Sequence, residues 1–356
     1  MKSGIIAGIA ICLTWLAPNA SHGQAELPGE RLGALPEPIA NNAVAAVTVG
    51  GHTGLYSFSG LGSGKTHADT SSRAYVFDMA SRASRRLPDV PGGKGRLASV
   101  AVALGGKIYL FGGYTVAEDG GEVSTPEVFA FDPAGEAYAR VADMPLPVDD
   151  SVALPFAGRY IYLVSGWHDT GNVNAVQVYD TEEDAWFRAT DYPGPAVFGH
   201  AGGIVGRSLV IADGVAVLGE EDGRRKFGAV NAAYLGRIDP EDPALIVWSR
   251  LPSHDGPPLY RMAATGHAGR NFVIFTGGSA NPYNYNGIGY NGEASAPSDR
   301  VFAFSLGARR WIELGAKPMA TMDHRGLIAT DGKLITLGGM TGGQTIAADV
   351  FSFSLP

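Results

Sequence analysis

Lys107-Ile108-Tyr109-Leu110-Phe111-Gly112-Gly113, followed by Val128-Phe129-Ala130-Phe131-Asp132, Tyr138 and Met144-Pro145, is one complete unit of a phrase that recurs along the chain. An apolar strand ends in a glycine pair, a second strand ends in an acid, and an aromatic residue precedes Met-Pro or Leu-Pro. Apolar runs punctuated by glycine read as short strands joined by tight turns. Repetition at one spacing decides the architecture before any single motif is weighed.

Six copies align, with their glycines at Gly60-Leu61-Gly62, Gly112-Gly113, Ser165-Gly166, Ala212-Asp213-Gly214, Gly277-Gly278 and Gly338-Gly339. Counted from Gly62 to Gly339, the copies advance by about 50 residues at each of the first three steps and about 60 at the last two. Four strands in a unit of that length make a propeller blade. In the unit above, residues 98–104 form the inner strand and residues 138–144 the outer one. The sixth copy ends at Phe351-Ser352-Phe353-Ser354 without an outer strand, and Glu30-Arg31-Leu32-Gly33-Ala34-Leu35-Pro36 supplies it from the other end of the chain. The expected fold is an all-β, six-bladed propeller over residues 26–356, its last blade closed by the N-terminal strand. Closure of this kind leaves no exposed strand edge.

Met1-Lys2 opens a segment whose residues 5–17 are apolar, with small residues at Ala20-Ser21 and Gly23-Gln24-Ala25. That pattern reads as a signal peptide over residues 1–25, cut after Ala25 or at the nearby alternatives Gly23 and Ala20, and places the mature protein in the periplasm or outside the cell. The run is too short to span a bilayer comfortably, and no other stretch approaches that length. Cys12, the single cysteine, lies inside the segment. The mature chain therefore has no disulfide, thiolate metal site or cysteine nucleophile. A net charge of −8 offers no basic footprint for nucleic acid.

The phrase resembles kelch repeats over essentially all of the mature chain. Leu35-Pro36-Glu37-Pro38, Gly60-Leu61-Gly62-Ser63-Gly64 and Gly95-Arg96 are similar to the single-domain secreted kelch proteins of the N-acetylneuraminate epimerase (sialic acid mutarotase) family. The resemblance implies a six-bladed propeller that acts on a sugar at one mouth of its central channel, as an isomerase of anomers, without a cofactor. Galactose oxidase also uses kelch blades, but its copper site needs a tyrosine cross-linked to cysteine, which the mature chain cannot build.

Two kinds of position reach one end of such a channel: residues entering each inner strand and residues following each glycine pair. They gather arginines, histidines, carboxylates and aromatics. Guanidinium forks suit a carboxylate and ring faces suit the apolar side of a sugar. Arg96, Asp150, Trp167, His168, Arg261, Tyr283, Tyr285, His324 and Arg325 are the expected substrate-binding residues. Tyr283 and Tyr285 lie in an Asn/Tyr/Gly insert over residues 279–298, long enough to carry function. Mutarotation needs a base and an acid placed across the ring. The resemblance puts the proton-accepting Glu directly after the blade-four glycine, where this chain has Val215. The base candidates are His200, Glu220 and Glu221. The blade-four insert, residues 215–227, otherwise reads as a solvated charged loop. No His-x-His or His-x₃₋₅-His spacing is present, so no metal is expected. The alternative reading is a non-catalytic propeller that binds a carbohydrate or a protein loop on the same face.

Overall fold

In the computed structural model, residues 25–221 and 223–356 are described, and most of the signal segment lies outside them. Six four-stranded antiparallel sheets stand around one axis. In blade two the strands run outward as Val100–Leu104, Lys107–Phe111, Val128–Asp132 and Ala137–Val141. Blades one, three, four and five repeat this order, from inner strands Ala43–Val49, Val152–Phe156, Ala201–Val205 and Ala263–His267. Blade six is built from Ile328–Thr330, Lys333–Leu337 and Asp349–Phe353, and its outermost strand is Gly29–Ala34. That strand runs antiparallel to Asp349–Phe353 from Gly29 opposite Phe353 to Ala34 opposite Asp349. Ahead of it, the Leu27 amide donates to the Ala316 carbonyl of blade five, so the N-terminal segment fastens two blades. None of the helices among the described residues is long and apolar enough to cross a membrane.

The strands read as continuous apolar runs because both faces of each blade are covered. Ile108 and Leu110 pack toward blade one, while their neighbours Tyr109 and Phe111 pack toward blade three. The same alternation gives one apolar cluster between each adjoining pair of blades around the ring. A seventh cluster belongs to no blade pair and covers one end of the axis, with Tyr114, Phe198, Tyr260 and Tyr283 among its members.

The glycine pair is explained by what stands behind it. Each second strand ends in two residues with positive φ, and the second is always glycine: Gly60, Gly113, Gly166, Gly214, Gly278 and Gly339. A Cβ on Gly113 would lie 2.6 Å from the Leu97 carbonyl oxygen, and one on Gly278 would lie 2.7 Å from that of Tyr260. The first position tolerates Ser59, Ser165 and Asp213. Blade one is thus keyed on Gly60, not on Gly62 as its Gly-Leu-Gly spelling suggests, and Gly60, Gly113 and Gly166 become evenly spaced.

The residue after the second glycine bridges to the residue that leads into the inner strand: Ala40 with Leu61, Leu97 with Tyr114, Asp149 with Trp167, Phe198 with Val215, Tyr260 with Ser279, and Met322 with Met340. Each chain then passes through left-handed backbone at Asn41, Ala98, Asp150, Gly199, Arg261 or Asp323, with φ between 48° and 66°. These six residues form a belt around the axis. Amides donate from blade to blade: Asp150 to Ala98, Gly199 to Asp150, Arg261 to Gly199, His324 to Arg261 and Asn41 to Asp323. The remaining link, from the Ala98 amide, is accepted by the Asn41 side-chain oxygen.

Gly113→Ala should therefore cost roughly 3 kcal/mol or more, because it combines positive-φ strain with a backbone clash. Gly106→Asn is its control, since Gly106 has a φ of 78° but nothing within 4 Å of the place a Cβ would occupy, and asparagine tolerates that conformation. Urea unfolding of the two variants should show a large loss for the first and little change for the second.

Candidate functional site

The belt carries charge inward. Arg261 places Nη2 2.6 Å from Asp150 Oδ2 and Nη1 3.2 Å from Asp323 Oδ1. Arg325 places Nη2 2.9 Å from Asp150 Oδ1 and 3.4 Å from Asp323 Oδ1, and donates to Asn41 Oδ1. All four charged side chains are 3% exposed or less. Burial pushes the Asp150 carboxyl up, but Arg261 and Arg325 outweigh it and hold that carboxyl below its usual range. Two cations and two anions thus neutralise one another across the channel.

This quartet divides the axis into two chambers. On one side a cavity of about 370 Å³ runs between the inner strands, walled by small residues such as Ala45, Ala101, Ala153 and Ala264. It ends at Asp150, His200, His324 and Arg325. On the other side lies a pocket of about 190 Å³ lined by Tyr114, Glu122, Asp149, Asp150, Trp167, Phe198, Arg225, Phe227, Arg261, Asn284, Tyr285 and Tyr290.

The loops after the glycine pairs build a lid over the second chamber. They form hairpins in blades two, three, four and six: Tyr114–Val116 with Glu122–Ser124, Trp167–His168 with Gly171–Asn172, Val215–Glu221 with Arg224–Ala229, and Met340–Thr341 with Thr345–Ile346. The blade-five insert lies across them. Its Tyr283 is fully buried and meets Tyr260 edge-on at 5.1 Å, and the Arg261 guanidinium lies over both rings. Its Tyr290 stacks on Phe227 of the blade-four hairpin at 4.5 Å. Its far side is held by Gln344 Nε2 donating to the Ser295 carbonyl, while Lys65 Nζ donates to the Gln344 carbonyl.

Of the pocket's three carboxyls, Asp149 and Glu122 are raised while Asp150 is held low by its arginines. Burial, then Asp150, raises Asp149 well above the usual carboxylate range, against one hydrogen bond of 2.7 Å from Ser124 Oγ. Glu122 belongs to the exposed rim, yet the protein around its carboxyl desolvates it and raises its pKa, with Arg261 opposing. An acid and a base of this kind facing aromatic walls can move protons on a bound polyol.

The structure brings Asp150, Trp167, Arg261 and Tyr285 to this pocket. Tyr283 belongs to the lid but packs inside it. Arg325, from within the quartet, faces the other cavity, which His324 and His200 also line. Burial lowers His200 to about 4, and its Nε2 lies 2.8 Å from the Val164 carbonyl oxygen. Glu220 and Glu221 stand at the exposed tip of the blade-four hairpin, opposite Arg225 and Arg224, so they do not share a cavity with His200. His168 Nδ1 lies 2.8 Å from the Pro147 carbonyl oxygen and lines neither chamber.

Arg96 does not reach the channel. It falls one residue before the bridging position, where the other blades have Ile39, Val148, Val197, Leu259 and Thr321. It is buried in the blade, 3.2 Å from Glu127 and over the Phe129 ring. The blade-four insert is a β-hairpin: Val215 and Ala216 are buried at its base, and residues 217–221 and 223–226, the charged ones among them, are exposed. Sequence reasoning passed over Glu122, which follows a Gly-Gly turn and carries no repeat signal. Asp149, Tyr114 and Tyr290 line the pocket as well.

A kelch motif family matches residues 95–145 of the chain. An F-box/kelch-repeat protein of Arabidopsis thaliana is 34% identical over 117 residues, 31% of this chain and 34% of that protein. Kelch-like protein 15 of Gallus gallus is 32% identical over 108 residues, 30% of this chain and 22% of that protein. The chain thus aligns with no more than about a third of the length of these curated relatives. A solved structure titled "Structure of YjhT" superposes with a TM-score of 0.69 at 16% identity, over 89% of this chain and 95% of that one. The kelch repeat is shared with the curated relatives, and at 16% identity the likeness to the solved structure is one of fold.

Behind the quartet, Lys317 is buried and donates to Thr321 Oγ1, which lies 2.7 Å from His324 Nε2. Burial lowers Lys317 to about 7, with Asp299 opposing. Between that value and the ordinary lysine pKa, the unfolded chain holds a proton that the folded chain releases. Folding stability should therefore rise as pH increases from 7 to 10. Lys317→Met should be more stable than the parent at pH 7 by a few kcal/mol, on the order of the desolvation removed, and the gap should close toward pH 10. Chemical denaturation of both proteins across that range checks it.

Proposed function

We propose that the protein acts in the periplasm or outside the cell as a sugar-binding propeller that interconverts the anomers of its ligand in the lid pocket. One observation carries the reading. Glu122 and Asp149, both with raised pKa values, line a pocket that also presents Tyr114, Trp167, Tyr285 and Tyr290. Aromatic faces take the apolar side of a pyranose, and the carboxyls take the two protons that mutarotation moves. Ionised Glu122 removes the proton of the anomeric hydroxyl. Neutral Asp149, with one oxygen fixed by Ser124, protonates the ring oxygen as its bond to the anomeric carbon breaks. The open carbonyl form rotates, and closure on its other face returns both protons. The resemblance to sialic acid mutarotases supports this class of reaction, and the likeness in fold to YjhT is compatible with it.

A second reading, a non-catalytic binder, is favoured by the buried Val215, which bridges to Phe198 where the resemblance calls for a glutamate. Exchange NMR on sugar anomers separates the two. With N-acetylneuraminate and simple hexoses as substrates, micromolar protein should accelerate anomer exchange of at least one, and Glu122→Gln and Asp149→Asn should each lower that acceleration by about 100-fold. Binding without any acceleration would leave the binder.

A further inference from the structure

The charge around the lid pocket points to a particular class of ligand. An acidic sugar would need a free guanidinium, and Arg261 is spent on Asp150 and Asp323. Of the cations lining the pocket among the described residues, this leaves Arg225, against the carboxyls of Glu122 and Asp149. Arg225 does not reach into the pocket as a clamp. Its guanidinium lies over the Trp167 ring, 5.0 Å from the centroid, and donates to the Thr170 carbonyl from an exposed hairpin.

Trp167 is the face on which a cation is best held. Its ring is fixed by Phe198 at 5.4 Å and Phe227 at 5.9 Å, and Tyr290 continues the wall by stacking on Phe227. Glu122 stands at the rim to balance a positive charge. The arrangement is an aromatic cage with carboxylates, whose cation seat is taken by the chain's own arginine. Burial, then Asp150, raises Asp149, and burial above all raises Glu122, so a cation seated beside them would favour their ionised forms.

We infer that the ligand of the lid pocket carries a protonated amine, as in an amino sugar, and that its ammonium displaces Arg225 from the face of Trp167. The inference rests on the lid pocket being the ligand site and does not require catalysis there. A cation at such a cage gains from both the ring face and the carboxylate, while a carboxylate ligand meets neither.

Titration calorimetry with tetramethylammonium, glucosamine, glucose and N-acetylneuraminate tests it. Tetramethylammonium and glucosamine should bind at least ten-fold tighter than glucose, and N-acetylneuraminate more weakly still. Arg225→Ala should tighten amine binding several-fold by vacating the ring. Glu122→Gln and Trp167→Leu should each weaken it about ten-fold, and Trp167→Phe, which keeps a ring for packing, should restore part of the loss. The inference is overturned if N-acetylneuraminate binds tighter than glucosamine, if Arg225→Ala abolishes binding, or if no amine binds. Tetramethylammonium separates it from the sugar reading. If that ion binds and no sugar is anomerised, the cation site stands and the enzymatic reading falls. If glucose is anomerised without preference for amines, the reverse holds.

Discussion

The belt of left-handed residues around the axis is the constraint on which the rest depends. At each turn the chain must reverse from the outer strand of one blade into the inner strand of the next, with six inner strands converging on one line. Left-handed backbone at Asn41, Ala98, Asp150, Gly199, Arg261 and Asp323 makes the reversal, and blade-to-blade hydrogen bonds hold it. Five of those residues are not glycine, so each carries a modest conformational cost that persists because its neighbours over-determine it. The glycine at the end of each second strand is the other half of the device. It clears room for the carbonyl oxygen that precedes each belt residue.

Side chains on the belt point at the axis, so their chemistry must be settled among themselves. Buried charges are tolerated only when paired, and removing one partner is far worse than never having the pair. Here two belt aspartates, one belt arginine and Arg325 settle it as a neutral quartet. The same step closes the channel. Residues on the two sides of it, such as His324 and Tyr285, share an end of the sequence pattern but not a chamber.

That distinction explains what the sequence could and could not disclose. Blade number, strand order and the N-terminal latch follow from glycine spacing and apolar runs, because strand edges must be paired and both faces of a blade buried. Register was less legible. Gly60-Leu61-Gly62 offers two glycines where backbone sterics select the first, and Arg96 sits one residue short of the bridging position and two short of the belt residue that turns inward. A charged residue at the edge of a repeat looks the same in sequence whether it faces the axis or a neighbouring blade. Whether Arg261 is free to hold a ligand depends on Asp150 and Asp323, which are far away along the chain. Glu122 was hidden for the opposite reason, since it lies on a short hairpin that no repeat requires.

The division of labour between belt and lid also follows from the geometry. Leu61, Tyr114, Trp167, Val215, Ser279 and Met340 are each pinned by a bridge to the belt, and beyond that point nothing in the propeller prescribes how far the chain travels before it returns as the third strand. Short hairpins in blades two, three and six keep their tips local, whereas the longer excursions of blades four and five reach one another through Phe227 and Tyr290. Aromatic residues are what such excursions need, because each must bury apolar surface without a sheet of its own. The pocket is the space these rings leave above Arg261. Its walls can therefore change with loop sequence while its floor cannot, because the floor is part of the structure that holds six blades together.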